Sequence, residues 1–317
     1  MLPATDDENL LVGLETPDDA AVYELGDGRV LVASVDFFTP IVDDPDDFGA
    51  IAAANSLSDL YAMGATPAFA LSVLAVPAAT LPLEVVSGIL RGAAEVCAEA
   101  GIVIAGGHSI DDREPKFGLV VLGFAEREHL YLKAGARPGD AIVLGKALGT
   151  GIIATALKRE AVDGPTIRAA VRSMRQLNHE AVLLLEGHEV HALTDVSGFG
   201  LLGHLREICV ASNVSARVVA SAPRLLPAAL ELVEEGFVPG GTERNRQAIE
   251  PVTGWEPGIA GGLRSVLCDA QTSGGLLACV PRHEASELAA EWDAAGYAAA
   301  VVGHIEDESR PILIVEE

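Results

Sequence analysis

The sequence predicts a two-domain α/β protein, and three observations predict it. At 317 residues, half of them hydrophobic, the chain is long enough to build two cores. Short strand-like runs alternate with helix-like runs in both halves. Between the halves the composition shifts, through Glu126-Arg127-Glu128-His129 and then Gly135-Ala136-Arg137-Pro138-Gly139-Asp140. The expected domains are therefore residues 1–126 and 127–317.

Taken in order, residues 22–25 and 29–37 read as strands joined at Gly26-Asp27-Gly28, because Asp-Gly readily adopts positive φ. Residues 46–63 read as a helix with an apolar stripe of Phe48, Ile51, Ala52, Leu57, Leu60 and Tyr61. Asn55 and Asp59, four apart, share one face of it, and by themselves they also suit the solvent side. A β-rich stretch at 66–77, a helix at 81–100 and strands at 102–105 and 117–125 follow. Gly106-Gly107-His108-Ser109-Ile110 lies between those last two strands, where paired glycines let a backbone approach a ligand or make a turn.

In the second half, strands are expected at 141–144, 190–194, 214–219, 275–280, 298–305 and 312–315. Helices are expected at 151–158, 166–186, 200–212, 227–235 and 284–295. Pro227 suits the first helical position. Gly198-Phe199-Gly200, Gly240-Gly241-Thr242 and Ser273-Gly274-Gly275 are weak signals alone, and each also reads as a plain turn.

Forty-six acidic residues against 21 basic ones give a formal charge of -25, which disfavours nucleic acid and anionic lipid as partners. Cys97, Cys209, Cys268 and Cys279 have no CxxC spacing, so the expectation is a reducing cytoplasm, with neither a disulfide frame nor a zinc knuckle. The acidic start lacks a signal-peptide pattern, and no apolar stretch reaches the roughly 20 residues of a bilayer span.

The chemistry is concentrated in carboxylates. Asp18 and Asp19 stand side by side after Pro17, which presets a turn dihedral. With Asp36, Asp59 and Asp195 they sit where loops meet apolar elements, the usual address of function in α/β folds. Hard oxygen donors of this kind suit magnesium, which takes one or two carboxylates and completes its shell from water and phosphate. There is no Walker loop, kinase signature or HExxH, and no nucleophilic triad is legible from spacing.

Eight stretches in order carry a resemblance: NLLVG at 9–13, DDAAVY at 18–23, DFFTPIVD at 36–43, NSLSD at 55–59, AGGHSI at 105–110, TDVSGFGLLGH at 194–204, PGGTERN at 239–245 and CDAQTSGGL at 268–276. Together they resemble the selenophosphate synthetase (selenide, water dikinase) family of the aminoimidazole-ribonucleotide-synthetase-like superfamily, nearly end to end. The resemblance implies an enzyme that converts ATP, selenide and water into selenophosphate, AMP and orthophosphate. It implies Mg2+ held by Asp19, Asp59 and Asp195. It also implies ATP contacts from Thr16, Pro17, Asp18, Asp36 and Asp59, with Gly107, His108 and Ser109 reaching a nucleotide bound mainly by a partner subunit. The implied assembly is a homodimer whose N-terminal domains form a β-barrel across the dimer, each followed by a C-terminal α/β domain.

One departure concerns a glycine-rich loop that, in the family, precedes the segment matching 9–13 and carries a reactive Cys or selenocysteine and a Lys. Here no Lys occurs before Lys116 and no Cys before Cys97, and Cys97 reads as helix packing. The family's Cys or selenocysteine and Lys are thus expected upstream of Met1, with neither catalytic residue in the chain as given. Trimming of the chain, or a start set downstream of a UGA read as a stop, accounts for this better than a natural form without the loop. Losing such a cation lowers a rate by roughly a hundredfold or more, so weak Mg-ATP binding and little selenophosphate are expected from the residues as given. The alternatives are a thiamine-monophosphate-kinase-like phosphotransferase and a non-catalytic nucleotide-binding paralogue.

Overall fold

The computed structural model describes residues 7–15 and 17–317, and the chain divides into two compact units, 1–132 and 133–317. Met1, ahead of which the reactive loop is expected, lies outside the described residues. Among the described residues no helix is long and apolar enough to cross a membrane.

The first unit is a six-stranded sheet with two helices. Strands β1 (Leu10–Val12), β2 (Ala21–Glu24), β3 (Arg29–Phe38), β4 (Thr66–Val76), β5 (Ile104–Asp111) and β6 (Lys116–Glu126) lie in the order β1-β2-β3-β6-β4-β5. All pair antiparallel except β4 and β5, which run parallel with helix α2 (Leu83–Glu99) between them in sequence. Beyond β6 the unit continues through a 3-10 turn at Arg127–His129.

Helix α1 (Pro45–Ala62) is capped by Asp44, whose side chain accepts from the amides of Asp46 and Asp47. It departs from the expected one-sided stripe, being buried almost all round, Asn55, Ser56 and Ser58 included. The physical reason is its place between the sheet and α2. A Cβ on Gly49 would stand 1.8 Å from the Ile89 carbonyl oxygen, and one on Gly92 would stand 1.9 Å from that of Asp46. Glycine at both positions lets the two helix backbones nearly touch.

A second departure is β5. Residues 106–110 are not a connection but the body of this strand, paired to β4 at the sheet edge. The sheet is also lopsided. Val30, Val32, Phe117, Leu119 and Val121 are buried, whereas Tyr23, Val35, Phe37, Phe69 and Phe124 remain exposed. The registers Leu31–Phe124, Ala33–Leu122 and Val35–Val120 place the exposed set on one face.

The second unit is a mixed seven-stranded sheet. Its strands are β7 (Asp140–Leu144), β8 (Ala192–Asp195), β9 (Ser215–Val219), β10 (Thr253–Trp255), β11 (Leu276–Pro281), β12 (Ala300–Glu306) and β13 (Leu313–Glu316), in the order β10-β13-β9-β12-β7-β11-β8. The helices are α3 (Thr150–Leu157), α4 (Gly164–Arg175), α5 (His179–Leu184), α6 (Gly200–Ser212), α7 (Ala229–Glu234), α8 (Gly240–Ile249), α9 (Gly261–Leu267) and α10 (Ala285–Ala294).

The single helix expected at 166–186 is broken at Gln176–Asn178, because tertiary hydrogen bonds take its backbone groups. Gln176 O accepts from Lys146 Nζ at 2.6 Å, and Leu177 O accepts from the Tyr297 hydroxyl at 2.6 Å. Pro227 does not open α7. The helix begins two residues later, after Ala228 in a left-handed conformation.

Ahead of β8 in the chain, His188 bridges two carboxylates, Glu284 at 3.1 Å and Glu291 at 2.8 Å. Burial lowers its pKa, but the hydrogen bonds it donates to these two acids, with their charges, outweigh that and leave it above the ordinary histidine value. A raised folded-state pKa means stability that is complete below the unfolded pKa of about 6.5 and lost as pH rises through the folded value. His188→Gln is therefore expected to lower stability by on the order of 1 kcal/mol at pH 5.5. The difference should shrink toward pH 8.5, as measured by urea unfolding at the two pH values.

Candidate active site

Each unit carries its own part of the candidate machinery. In the first, Pro17 is exposed and Asp18 and Asp19 are half-buried just ahead of β2. The Asp19 amide donates to Asp18 Oδ1 at 2.9 Å, a bond between adjacent residues that orients the Asp18 carboxylate. Thr16, expected at the same place, lies outside the described residues, as does Met1, upstream of which the Cys or selenocysteine and the Lys are expected.

Strand β3 then places Ser34 and Asp36 two apart, on the same face, toward α1. From α1, Asn55 Nδ2 donates to Asp36 Oδ2 at 2.7 Å, and Asp59 Oδ2 accepts from Ser34 Oγ at 2.5 Å. Ser56 stitches the same seam, donating to Asp36 O at 3.2 Å and accepting from the Leu119 amide at 3.3 Å. The four-residue spacing of Asn55 and Asp59 thus turns both toward β3.

Gly107, His108 and Ser109 sit on β5. Pairing carries one row across the sheet from Asp36 through Leu119 and Ser72 to Gly107. Three strand spacings of about 4.8 Å put Gly107 some 14 Å from Asp36. His108 shares its face with Val73, opposite to that of Gly107 and Ser109. Gly107 has no room for a side chain, since a Cβ would meet Ser72 O and Oγ at 2.2 Å.

In the second unit, Asp195 ends β8 and is buried. Nearby is Lys146, a buried lysine that sequence reasoning passed over. Its Nζ donates to Gln176 O at 2.6 Å and Ser273 O at 3.0 Å. Burial pushes its pKa down to about 7, although the charge of Asp195 works the other way.

The glycine-bearing motifs of this unit have architectural work. Asp269 accepts from the Gly151 and Ile152 amides, from Thr242 Oγ1 at 2.8 Å and from Gln271 Nε2 at 2.9 Å, clasping the start of α3. Burial raises Asp269 to about 7 despite those four donors. Gln271 Oε1 accepts from Gly149 and Thr150 at the same helix end. Asn245 Nδ2, on α8, ties Gly198 O to Cys268 O. The 239–245 and 268–276 motifs therefore fix the loop that follows Asp195. Asp269 and Gln271 carried a signal, as polar residues set against an apolar strand, but nothing in the spacing named their partners.

All four cysteines are buried, and burial raises Cys97 to about 11 and Cys209 and Cys268 to about 12. Thiols so held are poor nucleophiles. Within either unit, among the described residues, no three His, Cys, Asp or Glu side chains gather closely enough to hold a metal by themselves.

Comparison with known proteins places both units. The model of the AIR synthase related protein, N-terminal domain, matches residues 17–125, and that of its C-terminal domain matches residues 137–316. A selenide, water dikinase of Pelobacter propionicus is 43% identical over 98% of this chain and 89% of its own. One from Haemophilus ducreyi is 48% identical over 86% of this chain and 78% of its own. Among solved structures, thiamine-monophosphate kinase from Stenotrophomonas maltophilia superposes with a TM-score of 0.70 at 20% identity, covering 98% of this chain and 92% of that one. That likeness concerns the fold. The identity to the dikinases, sustained across both units, assigns the chain to an enzyme family of the kinase type, and it belongs to the selenide, water dikinase family.

Proposed function

We propose that this chain makes selenophosphate from ATP, selenide and water, releasing AMP and orthophosphate. The observation that carries the reading is the seam between β3 and α1, where Asp36 and Asp59 are held by the neutral donors Asn55 and Ser34. Both donors are neutral, so neither of these two contacts is an ion pair. A pair of carboxylates of this kind suits a hard cation that brings a polyphosphate with it. Such donors suit Mg2+, and on the family resemblance Asp19 and Asp59 of the first unit would hold it, with Asp195 of the second as the further holder. When bound, Mg2+ supplies charge neutralisation along the triphosphate.

Around that ion the residues' work is positional. The adjacent Asp18 and Asp19 present both carboxylates just ahead of β2, and Thr16 and Pro17 would contact the nucleotide beside them. Asp36 takes part in nucleotide contact from β3. Gly107, His108 and Ser109, about 14 Å along the sheet, serve the nucleotide of a second copy. The exposed apolar face carrying Val35, Phe37, Phe69 and Phe124 supports that assembly, since burying it against its own copy would close the two sheets into a barrel. Four reduced cysteines suit the cytoplasm as the compartment. The division of labour would follow the two units, with nucleotide and dimer contacts in the first.

Product analysis tests the reaction. Phosphorus NMR of the protein with ATP, Mg2+ and selenide is expected to show slow turnover, as befits residues without the reactive Cys and Lys, with AMP, orthophosphate and selenophosphate in equal amounts, since selenide takes one phosphoryl group and water the other. ADP as the end product would instead mark a simple phosphotransferase and overturn the proposal.

A further inference from the structure

Between β8 and α6 the chain makes a short turn in which both backbone groups of Ser197 are held. The Ser197 carbonyl accepts from the amides of Gly200 and Gln271, each at 3.0 Å. Its N–H donates to Nε2 of His204 at 3.1 Å, and the Ser197 hydroxyl lies 3.3 Å from the same nitrogen. His204 is buried on the first turns of α6, and the exposed Phe199 ring lies against it with centroids 5.5 Å apart.

Because Nε2 accepts, the ring proton belongs on Nδ1, and that side faces an acid. Glu207 Oε2 stands 3.6 Å from Nδ1, an electrostatic approach longer than a hydrogen bond, and is itself paired to Lys133 at 2.9 Å. Burial alone would raise the Glu207 pKa, but its interactions with His204 and Lys133 hold it down at about 2. Glu207 is thus a fixed negative charge behind the imidazole.

We propose that His204 is a positioning residue for the Asp195 loop, its Nε2 anchoring the Ser197 peptide while Glu207 and Lys133 hold the ring in the accepting tautomer. Asp195 is two residues before that anchor, so the direction of its carboxylate depends on the turn His204 closes. The inference rests on the reading above where it concerns metal, since Asp195 is there a holder of Mg2+. Its local half, the anchored turn, rests on hydrogen bonds alone.

Two measurements on the full chain separate these halves. Hydrogen exchange of peptides spanning 194–203 is expected to quicken about tenfold in His204→Phe, the scale of one lost hydrogen bond. His204→Gln should stay near wild type, because its amide oxygen can stand where Nε2 does. His204→Asn, too short to reach Ser197, gives the same loss if the Phe variant does not fold. Mn2+ titration followed by electron paramagnetic resonance should show affinity about tenfold or more weaker in His204→Phe and near wild type in His204→Gln. Unchanged exchange in both loss variants, or Mn2+ affinity equally reduced in His204→Gln and His204→Phe, would overturn the inference. Wild-type protein that binds no Mn2+ would overturn the metal reading and the metal half with it, while the exchange comparison still decides the anchored turn.

Discussion

Asp59→Asn is expected to lower AMP release from ATP by roughly a hundredfold or more, the largest effect of any single substitution proposed for this chain. The side chain keeps its size and its bond from Ser34, so folding should hold while one unit of negative charge disappears. Asp59 is assigned both to the metal and to the nucleotide, and removal of its charge weakens both at once. Weakened binding of Mg-ATP, read by calorimetry, should accompany the lost turnover. Ser34→Ala is the companion variant, because it removes one hydrogen bond to Asp59 without neutralising the carboxylate. Its loss should be smaller, on the order of one hydrogen bond. Asp59→Asn protein with wild-type turnover and unchanged Mg2+ dependence would remove Asp59 from the site.

Lys146 governs the second prediction. Its folded-state pKa is depressed to about 7, against roughly 10.4 for a free lysine. Between those values the unfolded chain binds a proton that the folded chain lacks, so this residue makes stability rise with pH across that window. The full span is on the order of 4 kcal/mol. The buried cysteines act in the opposite sense at the alkaline end, since their raised pKa values keep the folded thiols protonated while unfolded ones ionise. The informative quantity is therefore the difference between wild type and Lys146→Met, in which the cysteines cancel. That difference should move in favour of wild type by about 1 kcal/mol per pH unit between pH 7 and 10. Superimposed is a constant loss from leaving Gln176 O and Ser273 O without their donor. Chemical unfolding at pH 7, 8 and 9 measures both, and parallel stability curves for the two proteins would refute the assigned protonation.

What the sequence determined by itself was whatever depends on local pattern or on a linear string. The alternation of periods fixed most strands and helices, the Gly-Asp-Gly hairpin between β2 and β3 among them. Asn55 and Asp59 could be placed on one helical face from their spacing alone. The eight ordered stretches were enough to point to the family.

The tertiary structure decided what depends on distant partners. That α1 is buried on all sides follows from glycines at 49 and 92 meeting backbone 40 residues away or more, which no local window registers. Residues 106–110 became strand because β4 offered an edge, although their glycines favour a turn. The helix expected through 176 broke because Lys146, a residue from another element, took its carbonyl. The roles of Lys146, His204 and Asp269 escaped sequence reasoning for the same reason. A polar side chain reads as surface until the chain folds around it, and only then do its partners, up to 127 residues away, turn it into structure.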